Sequence, residues 1–189
     1  MRFALIFALL VSGTYSFSQR FNFVNYSLEE GLPQSQVSDI CQDKQGYLWI
    51  LTKAGLSRFD GIQFQSFSTE DGLPNNQVDK IYIDKSGTVW VATPGGIANY
   101  EQGNGFQSFR FSDTADLEYG VNDFSELNGS MYLATDEGLL LFENEEFNLL
   151  TANIDISLSM RAIVSRGDSL LICGSRNGLF TYDGHEFTH

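Results

Sequence analysis

The chain has 189 residues, with 24 acidic side chains against 11 basic ones, a formal net charge of −13 and 42% hydrophobic content. That acid surplus excludes a nucleic-acid grip, which needs clustered Lys and Arg to displace counterions, and a polybasic membrane-surface patch. Eighteen Gly and 16 Phe against three Pro point to an aromatic-rich globular fold, neither disordered nor collagen-like.

Residues 1–18 read as a secretory signal peptide. Arg2 precedes an apolar run over 3–11, and Ser16 and Ser18 stand two apart just before Gln19. The run is too short for the ~20 residues that span a bilayer, and no later stretch is apolar enough to do so. The mature part, 19–189, holds two cysteines, Cys41 and Cys173. Two are too few for a disulfide framework, and their separation fits no metal pattern, so both are expected in the core.

The mature chain repeats itself. Gly31-Leu32-Pro33 recurs 41 residues on as Gly72-Leu73-Pro74, and the same offset carries Asp43 to Asp84, Trp49 to Trp90 and Thr52 to Thr93. A third copy shows Tyr132, Thr135 and Gly138, and a fourth shows Ile172, Ser175 and Gly178. Stacked, the heart of the repeat reads LWILT, VWVAT, MYLAT and LICGS. Cys173 thereby takes the slot of Ile50, Val91 and Leu133, an aliphatic position.

Each repeat holds four short β-type runs with turn signals between them. In the first copy these are 37–42, 47–52, 56–60 and 63–68, with Asp43 and Gly46 in the first turn and Gly55 in the second. No window in the mature chain shows a helical period. Four strands per ~40 residues is the pattern of a β-propeller blade. The expected fold is therefore all-β, built of four-stranded antiparallel blades over 21–68, 69–110, 111–149 and 150–189. The aromatic on the second strand (Trp49, Trp90, Tyr132) is predicted to fill the space between blades. The hydroxyl closing that strand is predicted to serve the adjacent turn.

The stretches GLPQSQVSDICQDKQGYLWILTKAGLSRFDG and GLPNNQVDKIYIDKSGTVWVATPGGIANY resemble the two-component regulator propeller repeat. The third copy has lost Gly-Leu-Pro and carries Glu126 near the Asp position, and the fourth keeps mainly the Ser-x-x-Gly-Leu turn. The resemblance implies a periplasmic sensor region of a histidine kinase. Its partners would be a small-molecule or oligosaccharide ligand, and the remaining blades and downstream domains of one sensor chain. It implies no kinase residue within this stretch. Because such propellers carry more blades than the four here, an incomplete ring with an open edge is expected. The run 21–27 aligns with the outer strand 63–68.

Candidate chemistry is sparse. His185-Glu186-x-x-His189 spells the zinc-protease motif, but that chemistry needs a helix, and here the motif aligns with a turn and outer strand. On a strand, residues four apart stand about 13 Å from one another. The Asp84–Trp90 spacing is one longer than a sialidase Asp-box, and no arginine cluster or nucleophile pair accompanies it. No catalytic residue, metal site or cofactor is therefore assigned. What remains is recognition at one mouth of the propeller. The loops between blades (28–36, 69–77, 112–120, 151–159) and the turns between second and third strands open there. Gln34, Gln36, Lys53, Asn75, Asn76, Gln77 and Arg176 are the candidate ligand-binding residues. Two rival readings are an exported glycoside-active propeller enzyme and a secreted protein-binding scaffold.

Overall fold

The computed structural model describes residues 23–111, 120–150 and 159–188; the expected leader over 1–18 lies outside them. The described residues form four sheets, each of four antiparallel strands in sequence order. The first holds β1 (Val37–Gln42), β2 (Leu48–Thr52), β3 (Gly55–Phe59) and β4 (Phe64–Phe67). The second holds β5 (Lys80–Ile83), β6 (Val89–Thr93), β7 (Gly96–Glu101) and β8 (Gly105–Arg110). The third holds β9 (Val121–Leu127), β10 (Ser130–Thr135), β11 (Gly138–Glu143) and β12 (Glu146–Leu150). The fourth holds β13 (Met160–Arg166), β14 (Leu170–Ser175), β15 (Gly178–Tyr182) and β16 (Phe187–Thr188). Among the described residues, helical turns are confined to two 3-10 segments, Leu28–Glu30 and Thr69–Asp71.

Strand alternation sends successive side chains to opposite faces, so every sheet has a face toward the preceding sheet and one toward the next. On β2, Trp49 and Leu51 enter the core shared with the second sheet, while Ile50 points to the other side. On β6, Val91 meets the first sheet and Ala92 the third. Tyr132 and Ala134 of β10 meet Leu171 and Cys173 of β14 in the last core. The expected inter-blade aromatics are thus in place. Trp49 stacks on Phe67 at 5.4 Å and meets Tyr100 edge-on at 4.9 Å between ring centres.

The ring is not closed. Along the inner edge β1 adjoins β5, β5 adjoins β9, and β9 adjoins β13. Equivalent residues on the face toward the preceding sheet are Ile40, Ile81, Phe124 and Ile163. The last three are 5%, 3% and 5% exposed, but Ile40 is 54% exposed. On the opposite face, Leu56, Ile97 and Leu139 are fully buried, whereas the fourth member, Leu179, is 68% exposed. Both terminal faces are apolar and exposed at these inner positions, while Leu32, Ile50 and Phe59 on the outer part of the first are buried.

Residues 23–32 repeat the arrangement of 64–73. Ser27 caps its 3-10 turn through a capping box with Glu30, as Ser68 does with Asp71. Tyr26 packs on Phe59 and Phe64 at 4.9 and 5.9 Å, just as Phe67 packs on Tyr100 and Phe106 at 5.6 and 5.4 Å. This segment therefore sits where the outer edge of a preceding blade would lie. The Gly-Leu-Pro signature belongs to the same crossing. Gly72 ends the turn at φ +98°, and a Cβ there would run into the Phe106 carbonyl. Leu73, at 3% exposure, then plugs the core.

Candidate ligand-binding site

One end of each sheet is tied by its hairpins. Asp43 accepts hydrogen bonds from the Gln45 and Tyr47 N–H groups at 3.0 and 2.9 Å, and from the Trp49 indole at 2.8 Å. Asp84 does the same for Gly87, Thr88 and the Trp90 indole, at 2.8, 2.8 and 3.0 Å. The six-residue spacing from Asp to Trp is thus a structural clamp that joins turn to inter-blade aromatic. Neighbouring turns are linked in series: Lys44 Nζ donates to the Lys85 carbonyl at 2.8 Å, and the Lys85 N–H donates to Glu126 at 2.8 Å. At the opposite end, the hydroxyls of Thr52, Thr93, Thr135 and Ser175 all donate to the glycine carbonyl three residues on. These are the expected turn-serving hydroxyls.

That second end forms the mouth. As three of the four inner strands begin, their pairing slips by one residue. The register skips Ser38 between Val37 and Asp39, Asn122 between Val121 and Asp123, and Arg161 between Met160 and Ala162. A bulge of this kind leaves one residue out of the ladder and re-aims its side chain. In the second sheet Asp79 holds the equivalent place, ahead of Lys80 and bonded through its N–H to the Ala92 carbonyl at 2.8 Å. Four different polar groups are thereby delivered to one rim: Ser38, Asp79, Asn122 and Arg161.

Two cavities open on this rim. One, of 550 Å³, is lined by Ser38, Lys53, Asn76, Gln77 and Asp79 among others. The second, of 490 Å³, is lined by Gln77, Asp79, Pro94, Gly120, Val121 and Asn122. Gln77 and Asp79 belong to both, so they form the partition between them. Most charges nearby are matched. Lys80 lies 3.5 Å from Asp39 and 3.6 Å from Asp123. Arg161 meets Asp136 at 3.3 Å, and Asn122 donates to the same carboxylate at 3.1 Å. Asp79 receives one side-chain hydrogen bond, from Gln77 Nε2 at 3.1 Å. Burial, reinforced by the charge of Asp136, pushes the Asp79 carboxyl above the ordinary range despite that bond.

Of the residues expected from sequence, Lys53, Asn76 and Gln77 line one cavity together. Asn75 and Asn76 also hold the loop itself: their side-chain oxygens accept from the N–H of Gln77 at 2.9 Å and of Thr69 at 2.8 Å. Gln34, Gln36, Asn75 and Arg176 line neither cavity. Gln34 Oε1 is buried without a partner, and Arg176 is exposed on the β14–β15 turn. The expected loops over 112–119 and 151–158 lie outside the described residues. The sequence reasoning missed Ser38, Asp79, Asn122, Arg161 and Asp136. Asp136 lies on the β10–β11 turn; the other four share one signal, a polar residue directly after a hydrophobic residue at or just ahead of the inner strand (Val37, Val78, Val121, Met160).

The other candidates lie in an outer turn and in the core. The His185 and Glu186 N–H groups both donate to Asp183 at 2.9 Å in a turn ahead of β16, and His189 lies outside the described residues. Cys41 and Cys173 are unpaired, and burial pushes their thiols up to about 12 and about 11. Both are therefore protonated, inert fillers at neutral pH.

The family model described as "two component regulator propeller" matches residues 31–54 and 72–95, the Gly-Leu-Pro crossings and first hairpins of the first two sheets. Those two stretches of the chain are similar to two-component regulator propeller repeats. Sixty residues, 32% of the chain, are 40% identical to histidine kinase P4 of Formosa agariphila, of which they cover 4%. Among solved structures, the extracellular domain of the hybrid two component system BT3049 from B. thetaiotaomicron superposes with a TM-score of 0.70 at 22% identity. That match covers 86% of this chain and 24% of the other. A virginiamycin B lyase from Staphylococcus aureus superposes with a TM-score of 0.65 at 13% identity, over 84% of this chain and 56% of that one. At such identities the solved structures establish the propeller fold. The chain spans only a small fraction of the curated relative and about a quarter of the extracellular domain.

Proposed function

We propose that this chain is the ligand-recognising propeller segment of an exported two-component sensor. Residues 1–18 act as its leader and 19–189 form the propeller segment, periplasmic in location. It takes an oligosaccharide-type ligand at the mouth and acts by binding, without catalytic residues of its own. Further blades and downstream domains of the same sensor cover its open faces. The observation that carries this reading is the way the four inner strands begin, three of them with a bulge. In a repeat that keeps its core residues nearly constant, these strands place four chemically different groups on one rim beside two cavities. A constant scaffold with a varied rim suits recognition of polar, hydroxyl-rich molecules.

Support also comes from the family of the repeats and from the kind of protein in which similar propellers occur, a histidine kinase and the extracellular domain of a hybrid two component system. Signalling would follow if the ligand binds one domain arrangement better than another, since equal affinity for both shifts nothing. The test is a thermal-shift screen of the purified chain and of the complete sensor region against neutral plant oligosaccharides. A binder at a hundred times its Kd stabilises by about 2.7 kcal/mol. Loss of that shift on Gln77→Ala or Lys53→Ala is expected; no stabilisation by any oligosaccharide would overturn the reading.

A further inference from the structure

Among the described residues that line the two cavities Asp79 is the one carboxylate, and no ion pair matches it. Lys80 is held between Asp39 and Asp123, and Arg161 is held by Asp136. Among the described residues no cation comes within 4 Å of Asp79, although its side chain is half-buried on the partition between the two cavities. A partly desolvated carboxylate without a counter-charge is a standing cost, and a cation arriving from solution relieves it. Lys53 shares the larger cavity, but it is exposed and forms no recorded bond or ion pair with Asp79. The formal charge of −13 adds a long-range field that draws cations toward the chain.

The cation that fits is organic. Calcium takes six to eight oxygen ligands, and among the described residues no group of three or more His, Cys, Asp or Glu side chains converges to supply them. An ammonium group needs one carboxylate and a few neutral acceptors, and Ser38, Asn76 and Gln77 line the same space. Cavities of 550 and 490 Å³ also exceed what a simple amine fills, and their amide and hydroxyl lining suits a ring bearing hydroxyls. From this geometry we infer that the mouth is built for an amino sugar, its free ammonium seated on Asp79 and its hydroxyls on the flanking amides. The inference rests on the oligosaccharide reading above and narrows it to sugars with unacetylated amines.

The experiment is isothermal titration of the purified chain with glucosamine oligomers, their N-acetylated counterparts and glucose oligomers of the same length. It is run where the free amine is charged. The expected result is binding of the glucosamine oligomer about tenfold or more tighter than either neutral series. In Asp79→Asn, an isosteric change that keeps an acceptor for Gln77, the ratio of amine to neutral affinity is expected to fall to about one. In Lys53→Gln, which removes the competing cation, that ratio is expected to rise. Equal affinities in the unsubstituted chain, or a ratio unmoved by Asp79→Asn, would overturn the inference while leaving the oligosaccharide reading intact. Absence of binding by all three series would overturn both. Asp79-dependent stabilisation by calcium without sugar would also overturn it.

Discussion

The first two sheets and the last two are built by the same repeat, yet they hold their turns differently. In the first pair an aspartate ties the hairpin to the indole of the inter-blade tryptophan, Asp43 to Trp49 and Asp84 to Trp90. In the third sheet Tyr132 replaces the indole, and Glu126 reaches outward to the Lys85 N–H of the neighbouring turn. In the fourth, Ile172 holds the aromatic position and Asp168 pairs with Lys85 at 2.9 Å. The sheets nevertheless share topology, and the Thr or Ser to glycine bond persists in all four. The clamp is thus a local reinforcement. What every sheet retains is strand alternation, the apolar inter-blade faces and the tight second hairpin.

That comparison can be broken at its strongest point first. Trp49 is fully buried, carries the clamp and touches three other rings, so Trp49→Ala should destabilise by about 3–5 kcal/mol in urea titration. Ile172→Ala at the same position of the fourth sheet, facing no further blade, should cost much less; equal losses would show that the two halves are held alike. Next, Asp43→Ala leaves the Trp49 indole and two backbone N–H groups without their acceptor, an expected loss of about 1–3 kcal/mol. Glu126→Ala, which loses an exposed bond from the Lys85 N–H and a long one of 3.4 Å from the Tyr82 hydroxyl, should fall at or below the bottom of that range.

Thr93→Val and Thr135→Val sharpen the shared feature. Each removes the buried hydroxyl bond to the glycine carbonyl, worth about 1 kcal/mol, and Thr135→Val also takes the acceptor from the Glu137 and Gly138 N–H groups, so it should cost more than Thr93→Val. A smaller loss for Thr135→Val would deny that the shared bond is equivalent in the two halves. The smallest effect is one of pH. Partial burial raises the Asp84 carboxyl, but bonds from Ser86, Trp90, Thr88 and Gly87 outweigh it and leave the value below the ordinary 3.8. A carboxylate lowered in the folded state contributes stability above its unfolded value and loses it as pH falls through the folded one. The melting-temperature advantage of the unsubstituted chain over Asp84→Asn should therefore hold near neutrality and shrink below about pH 4.

How much of this was readable beforehand follows from where each signal sits. The recurrence of Gly-Leu-Pro, Asp, Trp and Thr placed all four meanders, because strand alternation and turn chemistry are local and repeat with the sequence. The open ring was expected only from the resemblance, whose propellers carry more blades, since a leading run that matches an outer strand could equally have completed a closed ring of four. The rim was not. Lys53, Asn76 and Gln77, which line the larger cavity, were singled out because they lie in loops, where polar residues attract attention. Ser38, Asp79, Asn122 and Arg161 lie at or just ahead of the start of strands, where a polar residue looks like ordinary alternation. A one-residue slip in pairing turns Ser38, Asn122 and Arg161 out of the ladder, and that slip shows only when both strands are present. Asn75 shows the converse, since a loop amide read as ligand-facing is held by its own backbone.

The sequence by itself therefore determined the all-β repeat, its turns and the residues that fill the space between blades, since these depend on neighbours a few positions apart. Only the tertiary structure decided which charges cancel. Lys80 reaches carboxylates on both adjacent sheets, Arg161 reaches one across the β9–β13 seam, and Asp79 is left over. That balance is set by distances between strands some 40 residues apart, and Coulomb energy depends on those distances and on burial, not on position along the chain.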